Sequence, residues 1–256
     1  MKTTLITGAS GGIGLEIARL CAKDHNNLLL VARSEDKLFS IKQEIEQQFS
    51  VTVNYLAVDL SKPESIQRIE NYVEQNNLHI EYLVNNAGFG DFGRFAERGL
   101  PKCREMIALN ISAVMELTHI FAQKMAVRGS GRILNVASIA ALQPVPFMAV
   151  YGATKAFVLS FSEAIRNELK KTGVTVTTLL PGPTATNFFN KAEANNVQMF
   201  QQCMMSPQKV ALSGYKAMMK GKKRVVPGFP NKCLAFVVKI FPGDFVLNMA
   251  VRLLEK

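Results

Sequence analysis

Tyr151 and Lys155 have the side-chain types and the spacing of a proton-transfer pair. A separation of four residues places both side chains on one face of a helix. A tyrosine with its ordinary pKa of about 10 exchanges a proton poorly near neutral pH unless its anion is stabilised. A nearby ammonium group favours that anion, so we expect Lys155 to lower the pKa of Tyr151. The pattern YxxxK also occurs by chance, and the alternative is an exposed lysine beside a partly buried tyrosine.

A glycine-rich segment, Thr7 to Gly14, directly follows the first predicted strand. In such a segment the first glycine permits a tight turn, the middle ones let backbone N–H groups approach a pyrophosphate, and the last lets a helix pack on the strand. The N-terminus of that helix adds partial positive charge. The segment therefore predicts a dinucleotide site, with an ordinary flexible loop as the alternative. The predicted contacts are Gly8, Ser10, Gly12, Ile13 and Gly14.

The end of the second predicted strand indicates which dinucleotide binds. An acidic residue there would bond the ribose 2′-hydroxyl of NAD, but the chain has Ala32 followed by Arg33 and Ser34. A guanidinium group can hold a 2′-phosphate through two parallel hydrogen bonds, and the serine adds a donor. We therefore predict NADP(H) in preference to NAD, with a solvated loop arginine as the alternative.

Taken together, these motifs resemble the classical short-chain dehydrogenase/reductase family, and the chain is similar to a generic bacterial branch of it. The spacing TGxxxGxG fits, and Ser138, 13 residues before Tyr151, joins Asn110 and Lys155 in a match to the Asn-Ser-Tyr-Lys tetrad of that family. The resemblance implies that Tyr151 is the general acid in reduction and the base in oxidation. It also implies that Ser138 bonds the substrate oxygen, that Lys155 holds the nicotinamide ribose, and that Asn110 supports a water in proton return.

The same resemblance implies further cofactor contacts after other strands. It assigns an adenine-contacting pair after the third strand, an NNAG turn after the fourth and a PG loop beside the nicotinamide after the sixth. These residues are Asp59, Leu60, Asn86, Ala87, Gly88, Pro181, Gly182, Thr184 and Thr186, with Tyr151 and Lys155. One departure is Gly11, where many NADP-using relatives carry a second basic residue. No metal site is expected.

Short apolar strands alternate with amphipathic helices along the chain, without an internal repeat. This order predicts an α/β fold, a doubly wound (Rossmann-type) parallel seven-stranded sheet with helices on both faces. We expect residues 1–256 to form a single dinucleotide-binding and catalytic domain, with 231–256 as a C-terminal apolar helical extension. The predicted strands are Thr3–Thr7, Asn27–Val31, Thr52–Ala57, Tyr82–Asn85, Arg132–Ala137, Val174–Leu180 and Arg224–Pro227. The predicted helices are Gly12–Lys23, Glu35–Gln48, Pro63–Gln75, Pro101–Val127 and Tyr151–Lys171.

Composition excludes several classes of protein. The 256 residues are 48% hydrophobic and 20% charged, which excludes disorder. The longest apolar run, Cys233 to Val238, is too short to span a bilayer, and the first strand leaves no room for a signal peptide, so we expect a cytoplasmic protein. Four scattered cysteines indicate neither a disulfide framework nor zinc. The net charge of +10 attracts anions, but the chain has no nucleic-acid-binding motif and no such partner is expected.

Substrate choice is expected to lie with three segments at the strand ends, Phe89 to Phe95, Gln143 to Phe147 and Thr186 to Ser206. Their phenylalanine and methionine content indicates an apolar carbonyl compound, and plain core packing is the alternative. The apolar extension 231–256 could close over the substrate, bury against a second subunit or rest on a membrane. We favour the first two, and we expect a homodimer or homotetramer.

The sequence therefore predicts an NADP(H)-dependent oxidoreductase that transfers a hydride between nicotinamide and a carbonyl or secondary alcohol. The partner would be an apolar small molecule. Two alternatives remain, a non-catalytic NADP-sensing or scaffolding protein and a membrane-peripheral enzyme that acts on lipid-like substrates.

Overall fold

The computed structural model describes residues 2–188, 192, 204–241 and 243–254. Seven strands in these residues form one sheet in the order β3-β2-β1-β4-β5-β6-β7, and every neighbouring pair is parallel. The predicted Rossmann-type sheet is confirmed. The strands are β1 (Thr3–Thr7), β2 (Asn27–Ala32), β3 (Val53–Ala57), β4 (Ile80–Asn85), β5 (Gly131–Val136), β6 (Val174–Leu179) and β7 (Arg224–Val225).

Helices cover both faces of the sheet and also follow its last strand. They are α1 (Gly12–Lys23), α2 (Glu35–Gln48), α3 (Ser65–Gln75), α4 (Leu100–Ile107), α5 (Ala113–Arg128), α6 (Ala149–Glu168), α7 (Pro207–Met219), α8 (Phe229–Ile240) and α9 (Gly243–Leu254). Helix α7 was not predicted, and Gly214 interrupts its helical pattern. A Cβ at Gly214 would lie 2.8 Å from Leu179 Cδ2, so the glycine lets α7 pack closely on β6.

The apolar strands bury both of their faces. In β2, Leu28 and Leu30 pack in a cluster with α1, α2 and α7, whereas Leu29 and Val31 pack in a second cluster with α3 and α5. All four side chains are fully buried, and each such burial contributes roughly 2 kcal/mol to folding. Successive side chains of these strands point to opposite faces of the sheet, and both faces are buried. The strands are therefore hydrophobic at every position.

The prediction of one continuous helix over Pro101–Val127 is wrong, because this stretch is interrupted. It consists of α4 and α5 joined by a π-helical turn, Ala108–Ser112. By length and composition, the run Leu100–Arg128 is the one stretch of the described residues that could cross a membrane, a test that core helices of globular proteins also pass. In this protein it packs Leu117, Phe121 and Met125 into the core.

The last strand is also shorter than predicted, because β7 ends at Val225 rather than at Pro227. It pairs with β6 through only Arg224 and Val225, and Pro227 has no N–H group to extend such a ladder. The chain then turns at Gly228 into α8.

The topology creates a crevice between β1 and β4. The chain runs outward from β1 to β3 and then returns to place β4 on the other side of β1. In open parallel sheets, ligands bind at such a switch point, outside the carboxyl ends of the strands. The glycine-rich segment after β1 and the NNAG turn after β4 therefore meet at the predicted binding edge.

Candidate active site

A cavity of about 610 Å³ opens at the carboxyl ends of the strands. Most of the predicted site residues line it, although they come from six separate segments of the chain. These are Gly8, Ser10, Gly12, Ile13, Ser34, Asn86, Ala87, Gly88, Ser138, Tyr151, Lys155, Pro181, Gly182, Thr184 and Thr186. The structure thus brings the glycine-rich segment and the Tyr151–Lys155 pair to one space.

Five predicted site residues do not line this cavity. Gly14 and Asn110 support its walls from behind, and Leu60 is almost fully buried in the core. Arg33 is 55% exposed and lies 3.7 Å from a carboxylate oxygen of Glu105. Asp59 accepts hydrogen bonds from the backbone and hydroxyl of Ser61. Burial raises the pKa of Asp59, but these bonds and the positive charges of Arg33 and Lys62 outweigh it, so the pKa lies below its usual value.

Asn86 holds the glycine-rich turn in place. Its side-chain amide donates to the carbonyls of Thr7 and Gly8 at 3.0 and 3.2 Å, and its backbone N–H donates to the Thr7 hydroxyl. Gly8 has a φ of +65°, and an added Cβ would lie 2.8 Å from the Asn86 amide nitrogen. Only glycine fits this conformation and this close approach without strain.

The glycine-rich turn has the donor set and the space that a dinucleotide needs. Gly12 begins α1 with a φ of +58° and lines the cavity, and a Cβ there would lie 2.9 Å from Thr186 Cγ2. A Cβ at Gly11 would meet no atom within 4 Å. The N-terminus of a helix with bare glycines presents backbone N–H groups to an anion. These residues fit a pyrophosphate, so the dinucleotide assignment agrees with the geometry.

Tyr151 and Lys155 lie together in the first half of α6. Both are buried, with 8% and 4% of the residue exposed, and the Lys155 ammonium is 5.8 Å from the centre of the Tyr151 ring. Lys155 Nζ also donates to the carbonyl of Val136 at 3.0 Å. Gly88 permits this position, since a Cβ there would lie 3.2 Å from Lys155 Nζ. The spacing in the sequence therefore does place phenol and ammonium on one face.

Burial shifts the pKa values of this pair in opposite directions. It raises the pKa of Tyr151 to about 12, although a hydrogen bond with Ser138 opposes the change, and it lowers the pKa of Lys155 to about 8. The charged form of each group loses hydration, and no charged side chain among the described residues offsets that loss. The prediction that Lys155 lowers the pKa of Tyr151 is therefore wrong for the protein by itself. Tyr151 is a protonated donor across the physiological range.

Ser138 follows β5 and begins a short 3₁₀ turn, Ile139–Leu142. Its hydroxyl oxygen accepts from the backbone N–H of Ala140 at 3.1 Å, and the hydroxyl lies 3.4 Å from the Pro181 carbonyl. These contacts hold Ser138 beside the Tyr151 phenol. A carbonyl oxygen in the cavity could then meet two hydroxyl donors at once.

Asn110 sits in the π-helical turn and is fully buried. Its amide donates to the Phe89 carbonyl at 2.9 Å and to Thr154 Oγ1 at 3.1 Å, and its oxygen accepts from the Phe89 N–H at 3.2 Å. The side chain of Asn110 thus links the π turn to the loop after the NNAG turn and to α6 through hydrogen bonds. Such turns are frequent at functional sites.

Sequence reasoning missed several residues that line the cavity. Lys37, in the first turn of α2, follows Ser34 by one helical turn, and that spacing was an available signal. Phe188, by contrast, lies in the segment that was expected to choose the substrate, and it packs on the Tyr151 ring at a centroid distance of 5.3 Å. A further wall comes from α8 and α9, in the extension for which closure over the substrate was one of the expected roles. The cavity-lining residues of these helices are Pro230, Asn231, Leu234, Val238, Met249 and Ala250.

The three segments expected to choose the substrate are only partly described. Phe89, Gln143, Val145 and Phe188 line the cavity and agree with their predicted place. Within Thr186 to Ser206, positions 189–191 and 193–203 lie outside the described residues. The described part of the pocket wall is therefore mainly apolar.

Known proteins resemble this chain in sequence. The profile of the family described as short chain dehydrogenase matches residues 2–197. Ketoacyl reductase HetN of Nostoc sp. is 34% identical over 181 residues, 71% of this chain and 63% of that protein. Very-long-chain 3-oxoacyl-CoA reductase-A of Danio rerio is 29% identical over 259 residues, 98% of this chain and 78% of that protein. The chain thus spans less than two thirds of the length of HetN.

A solved structure resembles it over nearly its full length. A short-chain dehydrogenase from Sphingobium yanoikuyae in complex with NADPH has 27% sequence identity and a TM-score of 0.84, and the match covers 94% of this chain and 97% of that one. The family match covers most of the chain, and the fold and the motifs agree with it. This protein is therefore a member of the short-chain dehydrogenase/reductase family of nicotinamide-dependent oxidoreductases.

Proposed function

We propose that this protein is an NADPH-dependent reductase of 3-oxoacyl thioesters that carry a long apolar acyl chain. The observation that carries the proposal is the continuous cavity that joins the glycine-rich turn to Tyr151 and Ser138 and ends between apolar walls from α8 and α9. A bound nicotinamide would supply the hydride for such a reduction. The chain itself has to bind and orient the carbonyl and donate a proton to its oxygen.

Tyr151 holds the proton that a reduction requires. With a pKa of about 12, the phenol is protonated at neutral pH and available as the general acid. Ser138 donates to the same oxygen and fixes its position. Lys155 lines the cavity, and its remaining N–H groups would hold ribose hydroxyls.

Two basic residues support a preference for NADPH. Ala32 leaves no carboxylate at the end of β2, and the following Arg33 is more than half exposed, with only a 3.7 Å contact to Glu105. Exposed ion pairs of this length contribute little, so the guanidinium is free to turn toward a phosphate. Lys37 lines the cavity next to Ser34 and adds a second cation. The Sphingobium relative was solved with NADPH.

Two observations support an acyl thioester as the substrate, the apolar end of the cavity and the names of two similar proteins. Leu142, Val145, Met148, Leu234 and Val238 give the cavity an apolar end. An acyl chain of increasing length would bury more apolar surface there, at about 0.8 kcal/mol per methylene. Two relatives are named as ketoacyl and very-long-chain 3-oxoacyl-CoA reductases.

The test is a series of 3-oxoacyl thioesters of increasing chain length, followed by the loss of NADPH absorbance. We expect kcat/KM to rise severalfold with each pair of methylenes until the apolar end is filled, and NADH to be a poorer donor. Tyr151→Phe should lose at least about a hundredfold in kcat. Tyr55→Phe is the matched control, because that phenol lies on β3 away from the cavity.

Two results would contradict the proposal. Equal rates for short and long acyl chains would show that the substrate does not require a long apolar chain. Equal efficiency of NADH and NADPH, unchanged by Arg33→Ala and by Lys37→Ala, would remove the cofactor preference.

A further inference from the structure

The outer side of α8 and α9 is an exposed apolar face. Phe229, Phe236 and Ile240 are 78%, 64% and 60% exposed and lie on one side of α8. Phe241 and Phe245, at the junction and in the first turn of α9, are 46% and 54% exposed and stack on each other. We call these five side chains the outer stripe. Exposed apolar side chains in such a contiguous group mark an interaction surface.

The opposite side of α8 lines the active-site cavity, and α9 adds two residues to the same wall. Leu234 and Val238 face it from α8, and Met249 and Ala250 face it from α9. Helical geometry explains the division, since residues 234 and 238 lie about half a turn around from 229, 236 and 240. α8 therefore forms a wall one helix thick between the cavity and the part of the outer stripe that it carries.

A shallow cationic recess adjoins the outer stripe. This pocket of about 200 Å³ is lined by Arg224 and Lys232 together with Leu142, Ala235 and Phe236. Arg224 lies 3.6 Å from Glu163, which Lys223 approaches more closely at 2.7 Å. Lys232 is exposed and shares the side of α8 that carries the outer stripe. The recess thus offers positive charge above an apolar floor.

We propose that the outer stripe docks on an anionic phospholipid bilayer. Its aromatic and aliphatic side chains would enter the interfacial layer, while Lys232 and Arg224 would bond lipid phosphates at the recess. An apolar substrate could then pass from the bilayer across a single helical wall into the cavity. This docking does not depend on the reaction proposed above, because it needs neither substrate nor cofactor.

Charge favours lipid over a second copy of the chain on this face. Residues 229–254 contain the three basic residues Lys232, Lys239 and Arg252 against one acidic residue, Asp244, and the whole chain carries +10. A symmetric dimer through the outer stripe would bring two such positively charged segments, each with an exposed Lys232, against each other. An anionic membrane surface would attract them instead.

The experiment is vesicle co-sedimentation of the full-length protein. We expect binding to phosphatidylcholine vesicles that contain phosphatidylglycerol, and weaker binding without it or at high salt. Phe236→Ser with Phe241→Ser should require roughly tenfold more lipid for each phenylalanine removed. Lys232→Glu should lessen the preference for the anionic vesicles.

Phe39→Ser is the matched control, because Phe39 is as exposed as Phe241 at 46% but contacts Tyr55 at the far edge of the sheet. It should bind vesicles like the wild type. Circular dichroism and NADPH titration establish that each variant is folded. The proposal fails if the folded wild type does not sediment with anionic vesicles, or if the double variant binds as tightly as Phe39→Ser. It also fails if light scattering shows a dimer that the double variant dissociates.

Discussion

Replacing Lys155 by methionine should abolish catalysis and at the same time stabilise the fold. Burial lowers the pKa of Lys155 from 10.5 to about 8, so the charged form is about 3 kcal/mol less favourable in the folded protein than in the unfolded chain. Methionine has a similar length and no charge, and it removes this cost. It also loses the hydrogen bond to the Val136 carbonyl, worth about 1 kcal/mol. We therefore expect the free energy of unfolding to rise by about 2 kcal/mol near neutral pH.

The sign of the pH dependence follows from the same pKa values. Below pH 8 the lysine is protonated in both states, and the wild type carries the full cost of burying the charge. Between pH 8 and 10.5 the folded state has released the proton while the unfolded chain still holds it, so the stability of the wild type rises with pH. The methionine variant lacks this contribution. The difference in stability should therefore shrink above pH 8.

Urea denaturation followed by circular dichroism measures both effects, at about pH 7 and at about pH 9. Lys216→Met on α7 is the control, because this exposed lysine should change stability by less than about 0.5 kcal/mol. A Lys155→Met variant less stable than the wild type at neutral pH would refute the reasoning. So would a stability difference that does not change with pH.

Three further predictions concern activity and cofactor binding. The kcat/KM for reduction should fall above about pH 8 as Lys155 loses its charge, and a flat profile to pH 10 would contradict this assignment. Gly90→Ala would place a Cβ 2.7 Å from the Phe188 ring. The ring then has to move away from Tyr151, so KM for apolar substrates should rise severalfold. An unchanged KM would count against Phe188 as a substrate contact. Gly12→Ala, at a φ of +58°, should weaken NADPH binding about tenfold in a fluorescence titration. If that variant bound NADPH with wild-type affinity, the cofactor site could not lie at Gly12.

Much of the architecture could be predicted from local patterns. Strands such as Leu28–Val31 are apolar at every position, which is typical of parallel strands covered on both sides. Glycines directly after β1 and polar residues directly after β4 and β5 indicated where the ligand edge lies. These features depend on neighbouring residues in the chain, so they can be recognised without coordinates.

Other features depend on contacts between distant segments. The π turn at Asn110 and the packing of α7 on β6 through Gly214 left no clear periodic signal. Arg33, predicted from its charge at the end of β2, and Asp59, predicted by resemblance, lie outside the cavity wall, whereas Lys37 lies within it. Lys37 lies three residues after Ser34, but this spacing alone does not distinguish a cofactor contact from an ordinary surface lysine.

The sequence by itself determined the order of the elements, the dinucleotide edge and the pairing of a phenol with an ammonium one turn apart. These follow from short-range spacing, which helix and strand geometry translate directly into position. Only the tertiary structure decided in which direction the pKa values of that pair shift, because desolvation depends on what packs around it. It also decided that α8 closes the cavity with one side and exposes phenylalanines with the other, since that division depends on where the rest of the protein lies.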